Sequence, residues 1–388
     1  MGKRKIDKYI MLVCFISTIS QIPLIYSNGV LSSMTSLSWV WLAGILLYKN
    51  RFSISVRWIL IFPIIFDIYC LIGEVVTDNK YIAANLFKPI NMCTFLYIVG
   101  LLASQYFDFE SLLNFAKAYI WGTTITSVVV YFQYCFGHSV AANSYLYNGK
   151  NSLASIVLVA MILAIMLRKW MFKTKFGKII LVLLTTFNVY FIFVLKSRTT
   201  LVCMLILFAG FIFIKDTKFS LKLFIIGITT ILVLFICANA ELYDTVVNVI
   251  LLNGKDATDL NAITSNRMDH VEIFKELFFQ HEVWGVGKYY LESFPLTVLL
   301  TFGILGAIPI FAFALSPLLG GIKGLWLKNK NRIFSLILIA ISISLIVNGI
   351  AEEQPPFGPG VKCFAMWFLY GVYSGKLKNI RNREKVDV

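Results

Sequence analysis

Long apolar runs alternate with short polar clusters along the whole of this chain. The runs fall at about 9–26, 31–48, 58–76, 90–104, 118–136, 152–167, 179–195, 199–214, 223–240, 295–318, 333–350 and 361–374. A helix crosses the hydrocarbon layer of a bilayer with about 20 apolar residues. The pattern therefore predicts an all-α, polytopic transmembrane protein of about twelve spans. Several runs are short, which implies tilt or partial insertion. The segments divide into residues 1–240 with nine spans, a larger outer loop at 241–294, three more spans over 295–374, and a basic tail at 375–388. No small-residue cleavage site follows the first run, so it reads as a span rather than a signal peptide.

Composition narrows the class. Hydrophobic residues make up 59% of the 388 and charged residues 14%. Soluble domains run nearer 45–50% and about 25%, which excludes a soluble enzyme. The net charge of +15 would suggest nucleic acid in a soluble protein, but in a membrane protein it first poses a question of sidedness. With both termini in the cytoplasm and strict alternation, 25 of the 35 Lys and Arg residues fall on the inner side. The flipped arrangement reverses that ratio, so the positive-inside rule fixes the orientation and accounts for the charge without a nucleic-acid partner. Trp58, Trp121 and Trp170 fall at span ends, where an aromatic belt belongs. The seven cysteines lie in or beside apolar runs, with no metal or redox spacing. No internal repeat is visible, which weighs against transporters built from two halves.

Four polar constellations could carry chemistry. Lys196-Ser197-Arg198 is a very short turn between two spans, with no Gly or Pro, placing two cations on the outer side against the charge trend. It is either a snorkelling turn or an anion clamp at headgroup level. The segment Ser265 to His281 predicts an amphipathic helix, with Ser265 or Asn266 as N-cap. Asp269, Glu272, Glu276 and Gln280 share its solvated face, and Met268, Val271, Phe274, Leu277 and Phe278 the opposite one. Arg267 falls within that apolar face, with His270 and His281 on its flank. A cation at a helix N-terminus opposes the dipole. Arg267 is thus either an arginine reaching lipid phosphates or part of an anion site that also uses free backbone N–H groups.

Trp284-Gly285-Val286-Gly287, then Lys288 to Glu292, reads as a tight turn leading back to the membrane, because a lone Gly-x-Gly is weak as a nucleotide loop. The outer carboxylates Glu292, Glu352 and Glu353, and the acids Asp67 and Glu74 in or near the third span, are each open to a catalytic or a plain structural role. His138, His270 and His281 form no cluster, and no carboxylate group resembles a divalent-ion site, so the reading invokes no metal and no cofactor.

Over roughly 150–310 the order of these motifs resembles the superfamily of bacterial O-antigen polymerases (Wzy) and O-antigen ligases (WaaL). The matching features are Ser197-Arg198 at the outer start of a span and Ser265-Asn266-Arg267 opening the loop helix. Trp284-Gly285-Val286-Gly287 and Leu296 through Gly303-Ile304-Leu305-Gly306 follow in the same order. The resemblance implies an inner-membrane glycosyltransferase with one large periplasmic loop, acting on an undecaprenyl-diphosphate-linked oligosaccharide among membrane lipids, with a chain-length regulator protein as a further partner. It gives Arg198 and Arg267 the task of holding the diphosphate. Lys196, His281 and Lys288, on the same outer side, are further candidate substrate contacts. The ligase branch has a His-Asn pair with Gly eleven residues after the His. Eleven residues before Gly303 this chain has Glu292, followed by Ser293. That departure favours the polymerase, and Glu292, His270 or His281 then supplies the general base. A ligase acting on lipid A-core, a flippase for lipid-linked glycans and an unrelated permease are the alternatives.

Overall fold

A computed structural model of the chain describes residues 3–53, 57–137, 147, 149–213, 239, 244–251, 267–326, 332–358 and 360–384. Among these residues the regular structure is helical, without strands. The helices are α1 (Lys3–Ile19), α2 (Pro23–Tyr26), α3 (Gly29–Lys49), α4 (Ile61–Thr77), α5 (Phe87–Ala103), α6 (Phe109–Val130) and α7 (Lys150–Met166). There follow α8 (Arg168–Met171), α9 (Lys175–Val194), α10 (Arg198–Phe213), α11 (Arg267–Phe278), α12 (Phe294–Trp326), α13 (Arg332–Ile350) and α14 (Val361–Glu384). The run at 223–240 and the caps Ser265 and Asn266 lie outside the described residues.

Five described helices are long and apolar enough to cross a membrane: α3, α4 extended back to Trp58, α9, α12 and α13. The outward stripe of α4 consists of Ile61, Ile64, Ile65, Ile68, Leu71, Ile72, Val75 and Val76, all exposed. Their spacing is that of one helix face. Such a face suits hydrocarbon, not water. The centre is apolar all round. Every residue of α7 from Leu153 to Ala164 is buried, as is every residue of α14 from Cys363 to Tyr373. Helices α5 and α14 touch backbone to backbone. A Cβ on Gly100 would lie 2.2 Å from the Phe368 carbonyl oxygen, and one on Gly371 would lie 2.1 Å from that of Tyr97. Small residues at such a crossing are how helices pack closely without a hydrophobic drive between them.

Several element limits differ from the apolar pattern. The first run ends as a helix at Ile19 and resumes as the single turn α2, which Pro23 opens. The fifth run begins nine residues earlier than its apolar stretch, because the Asp108 side chain accepts from the Ser111 N–H in a capping box. Trp121 consequently sits inside α6, not at its end. Helix α14 continues through the tail to Glu384.

The largest departure is in α12, which breaks at Gly303 (φ 60°, ψ −172°). The break frees backbone groups that an intact helix would pair. Segment 282–287 fills them. The N–H groups of Val286 and Gly287 donate to the Leu300 and Thr301 carbonyls, and those of Ile304 and Leu305 donate to the Glu282 and Val283 carbonyls. Tyr69 Oη lies 2.8 Å from the Trp284 carbonyl oxygen and 2.5 Å from that of Phe302, and its ring stacks on Trp284. The Trp-Gly-Val-Gly segment is therefore docked into a broken helix, which is more than a surface turn. Tyr69→Phe should cost about 1–3 kcal/mol by leaving the Phe302 carbonyl without its donor, while the Trp284 carbonyl keeps the Tyr81 hydroxyl at 2.8 Å. A thermal melt in detergent would read this as a midpoint lower by several degrees, and an unchanged midpoint would show that the contact is idle.

The connections sort into two ends. At one end Asn79 donates to the Gly285 carbonyl, Asn85 to Glu353, Arg267 to the Ala351 carbonyl and Ser197 to Asn151. At the other, Asn50 donates to the Leu102 carbonyl, Arg57 to the Gly375 carbonyl and Ser111 to Asp7, and Phe109 packs on Trp170. Among the described residues, the connections so placed alternate between the two ends along the chain.

Candidate functional site

The first of these ends gathers the chemistry. Helices α9 and α10 are joined by only three residues, 195–197, of which Lys196 adopts φ +51°. That left-handed conformation is usually left to Gly, and a side chain there costs on the order of 1 kcal/mol. Lys196 is only 3% exposed, and burial lowers the proton affinity of its amine. Ser197 is fully buried, with its Oγ 3.0 Å from Asn151 Oδ1 and 2.9 Å from Thr200 Oγ1. This bond sets the N-terminus of α10, which begins with Arg198, beside that of α7, which begins with Lys150. Ser155, one turn further along α7, takes a hydrogen bond from Asn348 of α13.

Lys150 shows how closely the charges converge. Its affinity for a proton falls to a pKa of about 7. Burial is the main cause. The cations Arg198 and Lys196 lower it further and Arg267 slightly, while Glu352 acts in the opposite sense. Arg198 and Arg267, more than sixty residues apart in the chain, therefore act on one amine.

Arg267 opens α11 and bridges two connections. Its Nη2 donates to the Ala351 carbonyl at 2.8 Å, and its Nε lies 3.5 Å from Glu292 Oε2. The Glu292 N–H donates to His270 Nδ1 at 2.8 Å, so the neutral ring carries its hydrogen on Nε2. Tyr290 packs edge-on against His270. Tyr290 is half exposed; its partial burial raises the phenol, and the carboxylates Glu292, Glu353 and Glu352 raise it further against a smaller pull from Arg267. Burial also raises Glu353, which the Asn85 side chain partly offsets. The site is thus polarised. Cations from α7 and the α9–α10 turn lie on one side, carboxylates and Tyr290 on the other, with Arg267 and Glu352 acting on both.

Of the residues singled out in the sequence, Arg198, Arg267, Lys196, Glu292 and His270 come together here. His281 and Lys288 do not. Both are exposed, and among the described residues neither side chain makes a hydrogen bond or ion pair. Asp67 and Glu74 serve local structure: Asp67 accepts from Asn91, and Glu74 from the Ile82 N–H. On α11 the polar face is exposed as the wheel predicts, but Met268 is exposed as well and no residue of the helix is fully buried. Lys150 and Tyr290 were missed. The signal for Lys150 was available, since it is a cation just ahead of an apolar run on the side where cations are scarce.

The cation side can bind an anion through side chains and two helix N-termini, and the carboxylate side can accept a proton. The sequence matches no known protein family, and a search of curated proteins finds no relative.

Proposed function

We propose that this chain is a polytopic membrane glycosyltransferase that polymerises oligosaccharide repeats. In this reading it joins undecaprenyl-diphosphate-linked glycans at the outer, periplasmic face of a bacterial inner membrane, with about twelve spans and both termini in the cytoplasm. The observation that carries the reading is the convergence of Arg198, Lys196, Lys150 and Arg267 beside three carboxylates at one end of an apolar helix bundle. A membrane-borne diphosphate sugar needs both halves of such a site.

The acceptor's sugar hydroxyl attacks the donor's anomeric carbon. The anomeric C–O bond breaks, and its electron pair leaves with the lipid diphosphate. Arg198 and Lys196 face the charge that grows on the departing oxygens, which is stabilisation of the transition state by fixed donors. The hydroxyl proton passes to the Glu292 carboxylate. That carboxylate now lies against Arg267 Nε, and a diphosphate that draws the guanidinium away leaves it able to accept a proton. His270 holds the Glu292 backbone in place through Nδ1.

The test is the surface polysaccharide of cells lacking the gene and supplied with wild type, Arg198→Ala or Arg267→Ala. Restored ladders for wild type and single-repeat caps for both variants support the polymerase. Loss of all glycan from lipid A-core points to ligation or flipping. Full ladders from both variants overturn the site.

A further inference from the structure

The amine of Lys150 stands at the N-terminus of α7, which the Ser197–Asn151 bond fixes beside the N-terminus of α10. The charges of Arg198 at the start of α10, Lys196 in the α9–α10 connection, Glu352 between α13 and α14, and Arg267 at the start of α11 all act on it. Three cations of two elements and two positive helix ends therefore share one half-buried place, with Glu352 as the carboxylate acting on Lys150. Like charges so packed repel one another, and in a medium of low dielectric that repulsion is strong. The least costly relief is for one cation to shed its proton. Arginine cannot do so, whereas a lysine amine can. An arriving anion reverses the balance, because negative charge nearby favours the charged form of an amine.

We propose that Lys150 completes the anion site with Lys196 and Arg198 and takes up a proton from solvent when a diphosphate binds there. The proposal rests on the diphosphate reading given above. In chemical terms the empty site holds the neutral amine. The bound site holds an ammonium against the diphosphate, and the proton returns to solvent once the product leaves. Storing the site with one charge fewer lowers its self-repulsion between turnovers, and Lys150 adds its full attraction only when there is an anion to hold. The burial-lowered proton affinity of Lys150 places this exchange near pH 7. The sign follows: its folded-state value is depressed, so the neutral form dominates above pH 7, and proton uptake on binding is large at pH 8 and small at pH 6.

The experiment is isothermal titration of the full chain in phosphatidylcholine nanodiscs with farnesyl-diphospho-N-acetylglucosamine. The phosphodiesters of this probe stay ionised throughout the range, so the probe exchanges no proton. Titration in buffers of different ionisation enthalpy yields the protons taken up. Wild type should take up close to one proton per probe at pH 8 and close to none at pH 6. Lys150→Met should bind at least tenfold more weakly at pH 6 and take up none at pH 8. Lys150→Arg should bind with near wild-type affinity and also take up none, which separates a charge effect from misfolding. Uptake that persists in Lys150→Met overturns the proposal and leaves the diphosphate reading standing. A wild type that binds no probe at either pH overturns both. Repeating the titration in phosphatidylglycerol nanodiscs separates ligand sources. Unchanged affinity supports a diphosphate site, whereas abolished binding assigns these cations to lipid headgroups and overturns the proposal.

Discussion

Alanine at Arg198 is expected to slow glycan polymerisation by about 10²–10³-fold, the usual cost of one preorganised donor at developing negative charge. The loss should fall mainly on kcat, because charge on the diphosphate oxygens is greatest as the anomeric bond breaks. Arg198→Lys keeps the charge and loses the planar fork, so it should recover part of the rate. The comparison with Arg267 is the informative one. Arg267 Nη2 holds the Ala351 carbonyl and its Nε faces Glu292. Removing it therefore undocks the start of α11 as well as deleting a cation. Arg267→Ala should lower the melting midpoint and the rate together, with a larger fall in midpoint than Arg198→Ala. Purified variants, a lipid-diphosphate oligosaccharide and gel-resolved products would measure both. A wild-type rate for Arg198→Ala would remove the guanidinium from the chemistry.

What the sequence could disclose depended on whether the signal was local. The apolar runs mark helices because burial in lipid needs a length of apolar residues and little else, and described helices lie under eleven of the twelve runs. Helix starts that rely on caps were harder. The polar residues Asp108, Glu110 and Ser111 look like a loop in a hydropathy profile, yet they open α6. The arginines were legible because a cation on the sparsely charged side stands out. Lys150 obeys the same rule, but its role arises from partners at 196, 198, 267 and 352, and no spacing encodes that meeting. Glu292 and His270 were each visible, but the bond between the Glu292 backbone and His270 Nδ1 was not, and it is this bond that makes His270 a positioning group. Gly303 lies inside the apolar run 295–318 with no local mark of a break, since glycine inside a transmembrane helix is ordinary. Its positive φ belongs to the tertiary fold.

Gly303→Ala should be the most damaging small substitution in the protein. The backbone there, at φ 60° and ψ −172°, lies in a region that only Gly enters readily. A Cβ would also stand 2.3 Å from the Val283 carbonyl oxygen, a backbone atom that cannot rotate aside. Strain alone is worth on the order of 1–3 kcal/mol. Relieving the clash means expelling segment 282–287 from the break, with loss of the four backbone hydrogen bonds that Val286, Gly287, Ile304 and Leu305 donate across it. Glu292 follows that segment by five residues, so the carboxylate side of the site should lose its register with Arg267. The expected result is a loss of about 3–5 kcal/mol, among the larger single-site effects, together with lost activity. Gly44→Ala is the matched control. It lies within α3 with nothing inside 4 Å of its Cβ position, and should be neutral or stabilise by about 0.5–1 kcal/mol. Thermal melts in detergent compare the two, and the fluorescence of Trp284, stacked 5.4 Å from Tyr69, reports whether the segment has left. If Gly303→Ala melted with Gly44→Ala and kept that fluorescence, the docking of the Trp-Gly-Val-Gly segment in the break would be refuted.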